Sequence, residues 1–253
     1  MSSFPTFVCL VSMVMPAAFA NILIYPLSRK LSVKISDYIV RVLAPRLFAI
    51  LYTYRKFRFW GYDDKKSELP QKFIIIANHQ SLLDIPLFMN FFRDKAVRFI
   101  AKDALGRHIP LVSEMLRAQE HCLIPRKAKP MEAMRYISDF GKRVVERNQI
   151  PILFPEGSRT RDGNVGKFFS AGFRQLTEST GLPVVVCALD GGWQLRDLRK
   201  IMTNLKNGCY RVKILKVYEA PKTKEECNEI LEESRVLMQN QIEQWRKMPS
   251  NEK

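Results

Sequence analysis

Short apolar runs alternate with helix-length segments along most of this chain, and each apolar run ends in a polar turn. The runs with strand character cover residues 73–77, 97–100, 122–124, 150–154, 184–189 and 210–217. Runs of this length between turns are typical of buried strands. Their alternation with helices predicts an α/β fold, in which helices flank a mixed and largely covered sheet.

The predicted helices cover residues 85–92, 111–117, 131–145 and 171–179, and Thr223 with Glu226 forms a capping box that opens a last helix ending near Trp245. Residues 63–71 are polar and read as a hinge. We therefore predict two parts: N-terminal helices over residues 1–62 and a globular domain over residues 63–253.

The first candidate site follows the predicted strand at residues 73–77, where the sequence reads Asn78-His79-Gln80-Ser81-Leu82-Leu83-Asp84. An imidazole can act as a general base when a carboxylate fixes its tautomer and stabilises its protonated form. His79 and Asp84 fit these roles, and no nucleophilic Ser or Cys is needed if a substrate brings its own hydroxyl. The alternative is structural, because Ser81-x-x-Asp84 also has the pattern of a helix capping box.

The second candidate site follows the run at residues 150–154, where Pro155-Glu156-Gly157-Ser158-Arg159 forms a turn. Gly157 permits a positive φ, and Arg159 can donate two hydrogen bonds to one phosphate. Ligands of open α/β sheets bind beyond the carboxyl ends of strands. The segment therefore predicts a phosphate-binding loop, and the alternative is a polar turn with solvated arginines.

Together these motifs resemble the glycerolipid acyltransferases, the 1-acylglycerol-3-phosphate acyltransferase family. The family's NHxxxxD motif is matched by Asn78, His79 and Asp84, and its FPEGTR motif by residues 154–159 with Ser158 in the threonine place. Weaker family features also occur in order, at Lys102-x-x-Leu105 before Ile109-Pro110, at Leu123-Ile124-Pro125-Arg126, at Lys167 with Ala171-Gly172, and at Leu182-Pro183-Val184-Val185. Glu120 and His121 depart from the pattern, since relatives often have glycine there.

The resemblance implies an O-acyltransferase that moves a fatty acyl group from an acyl thioester to the free hydroxyl of 1-acyl-glycerol-3-phosphate, making phosphatidic acid for phospholipid synthesis. It implies His79 and Asp84 as the base dyad and residues 156–159 as substrate-binding, with Lys102 and Arg126 as further anion contacts or else solvated cations. The donor is expected to be acyl-CoA or acyl-acyl carrier protein. Alternatives are another lysophospholipid or glycerol 3-phosphate as acceptor, a thioester hydrolase, and a catalytically silent membrane-binding protein.

The formal net charge of +16 suits an anionic membrane surface or anionic substrates, whereas no RNA-binding, zinc-finger or helix-turn-helix pattern supports a nucleic-acid partner. The five cysteines are scattered, and they predict neither a metal site nor a disulfide framework. We expect no cofactor and no metal.

Membrane attachment is predicted from the uncharged segment at residues 4–27, which is long enough to cross a hydrocarbon core of about 30 Å. Arg29, Lys30 and Lys34 follow it, so the positive-inside rule places the globular domain on the cytoplasmic face. Pro16 favours the alternative that the segment dips into one leaflet. Ala18-Phe19-Ala20 resembles a signal-cleavage site, but no positive n-region precedes it. Residues 38–54 predict a second helix at the bilayer interface.

Overall fold

A seven-stranded sheet forms the centre of the computed structural model, which describes residues 3–62, 64–106, 112–195 and 208–248. Its strands are β1 (Arg58–Tyr62), β2 (Ile74–Ala77), β3 (Val97–Lys102), β4 (Cys122–Ile124), β5 (Ile150–Leu153), β6 (Val184–Asp190) and β7 (Cys209–Tyr218). They lie in the order β1-β7-β6-β2-β5-β3-β4. Neighbouring strands run parallel except β6 and β7, so the predicted mixed sheet is confirmed.

The helices are α1 (Ser3–Ile24), α2 (Arg29–Tyr38), α3 (Ala44–Arg55), α4 (Asp84–Phe91), α5 (Val112–Ala118), α6 (Pro130–Glu146), α7 (Ser170–Thr180) and α8 (Lys224–Lys247), with a π-helix at Ile39–Leu43 joining α2 to α3. The predicted cap of α8 forms, because the Thr223 side chain accepts a hydrogen bond from the Glu226 N–H at 3.1 Å. The Ile109-Pro110 family feature and Leu111, the first residue of the predicted helix at 111–117, lie outside the described residues.

Helices cover both faces of the sheet, as predicted. On β2, Ile75 and Ala77 face a core shared with α3, α4 and α5, whereas Ile74 and Ile76 face a core shared with α6, α7 and α8. Parallel strands covered on both sides read as continuous apolar runs rather than alternating ones. This explains why every residue of β2 and β5 is buried.

One boundary of the prediction is wrong. Residues 58–62 were assigned to the N-terminal helices, but they form β1, an edge strand that pairs in parallel with β7 from Arg58↔Cys209 to Tyr62↔Lys213. A five-residue edge strand has a weak sequence signature, because three of its residues are exposed and two are only half-buried. The sheet therefore begins before the polar hinge that marked the predicted domain boundary.

The N-terminal helices pack on one another and on α5. A buried polar network joins α1 to α2: Ser32 donates to Asn21 Oδ1 at 2.6 Å, and the Asn21 amide donates to Ser36 Oγ at 3.2 Å. Pro16 lies inside α1 without ending it. In the ranges that the structure describes, no helix is long and apolar enough to cross a membrane.

Candidate active site

His79 and Asp84 lie together in the loop that connects β2 to α4. His79 Nδ1 is 2.7 Å from Asp84 Oδ2, and the Asp84 side chain is fully buried. The same carboxylate accepts hydrogen bonds from the backbone N–H groups of Gln80 at 2.8 Å and Ser81 at 3.0 Å. Asp84 is also the first residue of α4, where the helix dipole favours a negative charge. This carboxylate therefore orders the loop and contacts the imidazole. The alternative capping box does not form, since Leu83 is the residue before α4 and makes no side-chain capping hydrogen bond.

The imidazole of His79 is held on one face and open on another. Its ring stacks on Phe154, with ring centroids 4.3 Å apart and planes inclined by 15°. Its backbone N–H donates to Glu156 Oε1 at 2.9 Å, and its carbonyl accepts from the Thr160 N–H at 2.8 Å. Because Nδ1 contacts Asp84, Nε2 is the nitrogen left to exchange a proton with a ligand.

The amides on either side of His79 attach the loop to the end of β6. Asn78 Nδ2 donates to the Leu189 carbonyl at 2.9 Å, and Asn78 Oδ1 accepts from the Leu189 N–H at 2.8 Å. Gln80 Nε2 donates to the same carbonyl at 3.0 Å, and Gln80 Oε1 accepts from the Gly192 N–H at 2.9 Å. Amide side chains suit this position because each offers both donors and acceptors to exposed backbone groups.

Tyr210 is a site residue that the sequence analysis missed. It lies on β7, is fully buried, and its hydroxyl donates a hydrogen bond to Asp84 Oδ1. Burial raises the pKa of Tyr210 well above its ordinary value, so the phenol keeps its proton. Gly192 makes room for it, since a Cβ at that position would lie 2.1 Å from the Tyr210 hydroxyl oxygen. The period-2 pattern of β7 indicates a buried tyrosine, but no local signal relates it to Asp84.

The second motif forms a tight turn after β5. The Gly157 N–H donates to the Phe154 carbonyl at 3.0 Å, and Gly157 has a φ of +64°. This left-handed conformation favours glycine over residues with a side chain. Because Ile76 pairs with Leu153, the turn lies beside the end of β2 and therefore beside His79.

Glu156 is predicted to contact substrate, but in the structure its carboxylate contacts backbone groups. Its carboxylate is buried and faces backbone, where Oε1 accepts from the His79 N–H and Oε2 accepts from the Gly166 N–H at 3.2 Å. Burial raises the pKa of Glu156 to about 6. Its role in substrate binding stays a prediction. Its contacts join the His79 loop to the segment before α7.

One cavity of about 800 Å³ brings together the other predicted site residues. It is lined by His79, Gly157, Ser158, Arg159, Lys102 and Arg126, together with Arg161. Lys102 ends β3, and Arg126 comes two residues after β4, which pairs with β3 in parallel. The four loops that contribute these residues therefore follow the carboxyl ends of parallel strands, where ligands of α/β sheets bind.

The cavity has a cationic part and an apolar part. Its apolar lining includes Phe99, Ile100, Leu105, Ile124, Ile137, Leu153, Phe154 and Phe169. A cavity with both characters suits an amphiphile that carries an anionic group. Within the described ranges, no group of three histidine, cysteine, aspartate or glutamate side chains is arranged to hold a metal ion.

Comparison with known proteins identifies the family of this chain. The model of the family described as Acyltransferase matches residues 62–190, which is half of the chain, and the chain belongs to that family. The resemblance identified from the motifs is thus confirmed.

Two relatives and one solved structure are similar to this chain. It is 33% identical over 129 residues to a 1-acyl-sn-glycerol-3-phosphate acyltransferase of Cocos nucifera, covering 50% of this chain and 41% of that protein. It is 26% identical over 128 residues to the human 1-acyl-sn-glycerol-3-phosphate acyltransferase beta, covering 51% and 45%. The matches thus span less than half of each relative's length.

The solved structure is that of the 1-acyl-sn-glycerophosphate (LPA) acyltransferase PlsC from Thermotoga maritima. It superposes with a TM-score of 0.69 at 23% identity, covering 98% of this chain and 96% of that one. At this identity the likeness establishes a shared fold.

Proposed function

We propose that this protein transfers a fatty acyl group from an acyl thioester to the free hydroxyl of 1-acyl-glycerol-3-phosphate, yielding phosphatidic acid. The observation that carries the proposal is the meeting of the His79–Asp84 pair and the cations Arg159, Lys102 and Arg126 at one cavity. The acceptor is taken from the names of the relatives, and no cofactor is required for this chemistry.

In the proposed reaction His79 is the general base. Its Nε2 accepts the proton of the acceptor hydroxyl while the oxygen attacks the thioester carbonyl carbon. The Asp84 carboxylate stabilises the imidazolium through the contact with Nδ1. When the tetrahedral intermediate collapses, the C–S bond breaks and the imidazolium returns the proton to the departing thiolate. No acyl-enzyme forms, because the acceptor oxygen attacks directly.

Arg159 is proposed to hold the acceptor phosphate, because it lines the cavity beside the tight turn at Gly157. Lys102 and Arg126 are proposed to contact anionic parts of either substrate. The donor is acyl-CoA or acyl-acyl carrier protein, and the apolar lining accommodates an acyl chain.

Membrane attachment belongs to the same proposal. Apolar side chains on the N-terminal helices and on the turn between α1 and α2 are exposed, among them Phe19, Leu23, Leu27, Leu31 and Tyr52. Exposed apolar residues on helices with basic neighbours suit an interface with the bilayer. We place this surface on the membrane and the catalytic cavity on its cytoplasmic side.

The proposal is tested with one radiolabelled acyl thioester and a panel of acceptors: 1-acyl-glycerol-3-phosphate, other lysophospholipids, glycerol 3-phosphate and water alone. Labelled phosphatidic acid is expected, at a rate above that of every other product. Release of free fatty acid at the same rate without any acceptor would instead identify a thioester hydrolase.

Replacing Arg159 with alanine is expected to raise the acceptor KM roughly tenfold or more, because charge-assisted hydrogen bonds to the phosphate are lost. The donor KM should change little. The measurement is initial rate against each substrate in turn. Arg135→Ala, which removes an exposed arginine from α6, is the matched control. A rise in the donor KM alone would assign the turn to the thioester.

Replacing Tyr210 with phenylalanine is expected to lower kcat roughly tenfold, because Asp84 loses a hydrogen bond but keeps its position on α4. Tyr210 acts through Asp84, so it is a positioning residue. With one hydrogen bond fewer, the carboxylate is held less firmly against the imidazole, so the loss should appear in kcat while the KM of each substrate changes little.

The control for that variant is Tyr218→Phe, which removes a hydroxyl from the other end of β7. It should leave kcat unchanged. A Tyr210→Phe enzyme that loses stability but keeps its kcat would show that Tyr210 only fills the core.

A further inference from the structure

A second cleft, of about 100 Å³, lies between the N-terminal helices and the start of β3. Four cations line it, Arg41, Arg93, Lys95 and Arg98, together with Asp37 and Gln119. None of its lining residues borders the catalytic cavity. Arg98 is at the amino end of β3, whereas Lys102 ends the same strand in the catalytic cavity. The two sites therefore lie at opposite ends of β3.

The positive charge of this cleft is poorly neutralised. Its only lining carboxylate among the described residues, Asp37, accepts a hydrogen bond from Gln119 Nε2 at 2.9 Å. The nearby Glu120 is shared by Arg29 at 3.3 Å, Arg143 at 3.7 Å and Arg147. The Lys95 ammonium lies 4.0 Å from the exposed carboxylate of Asp94. An excess of cations that converge on one small space attracts an anion.

Among these cations, Arg98 gives the strongest evidence that the cleft binds an anion. Its Nη1 donates to the Val97 carbonyl at 2.8 Å, while its Nε is buried without a hydrogen-bond partner in the described part of the chain. Burial lowers the pKa of Arg98 to about 10, although Asp37 and Glu120 act in the opposite direction. The guanidinium thus stays charged at neutral pH. An Nε without a hydrogen-bond partner in the described ranges is unfavourable for a half-buried guanidinium, and a bound anion would offset that cost.

We propose that this cleft binds the phosphate group of an anionic ligand, either a phospholipid headgroup or a soluble phosphate. Phosphate oxygens accept hydrogen bonds from several guanidinium groups at once, which suits Arg41, Arg93 and Arg98. The volume accommodates one phosphate group and excludes an acyl chain.

The position of the cleft suggests what binding does. Arg41 lies on the π-helix Ile39–Leu43, and Arg98 lies on β3, so a phosphate between them bridges the N-terminal helices and the sheet. Single π-helical turns are frequent at functional sites. The bound ligand thus holds the N-terminal helices against the domain that carries the catalytic cavity.

Hydrogen exchange of the full chain tests this proposal. Exchange in residues 37–43 and 93–99 is followed with inorganic phosphate, with phosphatidylcholine vesicles, and with the same vesicles containing phosphatidic acid. Slower exchange in both segments with inorganic phosphate assigns a soluble phosphate. Additional protection only with phosphatidic acid, relative to phosphatidylcholine alone, assigns a lipid headgroup.

The matched variants are Arg41→Gln/Arg93→Gln and, as control, Arg135→Gln/Lys142→Gln. Each pair removes two exposed positive charges, so neither disturbs the core. The Arg41→Gln/Arg93→Gln variant should bind the protecting ligand at least about tenfold more weakly than the wild type. The control variant should bind it with the wild-type affinity. The proposal is overturned if neither inorganic phosphate nor phosphatidic acid slows exchange in these segments. It is also overturned if both variants bind the ligand equally more weakly than the wild type. Acyl transfer is not the readout, so this result is independent of the proposed reaction.

Discussion

Replacing His79 with alanine should lower kcat at least about a hundredfold, because the proposed reaction loses the group that takes the acceptor's proton. The fold should survive. The loop is held by the His79 backbone N–H and carbonyl, by Asn78 and by Gln80, and alanine leaves all of these contacts in place. The measurement is formation of labelled phosphatidic acid by wild type and variant at saturating substrates.

Two controls accompany this variant. Its far-ultraviolet circular dichroism and its sedimentation with vesicles should match the wild type, which separates loss of chemistry from loss of fold or attachment. Binding of the acceptor should also persist, since Arg159 is unchanged. Near-normal acyl transfer by His79→Ala would remove the imidazole from the mechanism and leave its contact with Asp84 a structural one.

Replacing Asp84 with asparagine should lower kcat roughly a hundredfold to ten-thousandfold, a larger loss than that from Tyr210→Phe. The amide has no charge to stabilise the imidazolium. Its NH₂ group also meets donors, because the N–H groups of Gln80 and Ser81 and the Tyr210 hydroxyl all point at this carboxylate. A lower free energy of unfolding is therefore expected as well, measured by denaturant titration.

A double variant distinguishes the catalytic from the structural share of that loss. If Asp84 acts through His79, His79→Ala/Asp84→Asn should be hardly slower than His79→Ala alone, since residues that act as a unit are not additive. Multiplication of the two single losses would mean that Asp84→Asn slows the enzyme by distorting the loop and α4, independently of the imidazole.

Much of the fold was predictable because its signals are local. The buried strands β2, β5 and β6 are continuous apolar runs, and α6 and α8 have apolar positions at helical spacing after Pro130 and Thr223. The short strand β1 was missed because its partner, β7, lies far away in sequence. Strand pairing at a sheet edge depends on that partner more than on the five residues themselves.

The same division applies to the site. His79 and Asp84 are five residues apart, and Gly157 to Arg159 are contiguous, so their chemistry was visible in the sequence. Tyr210 and Glu156 reach their partners only through the folded chain: β7 brings the tyrosine hydroxyl to Asp84, and the turn after β5 directs Glu156 toward the His79 N–H.

By itself, then, the sequence determined the alternation of elements, the family, and which side chains are proposed to carry the chemistry, because residue type and spacing along the chain suffice for these. Tertiary structure decided that His79, Arg159, Lys102 and Arg126 share one cavity, and that Arg41 and Arg98 share another. The physical reason is the sheet. Strand order sets which loops become neighbours, and strand order depends on long-range packing that no short segment encodes.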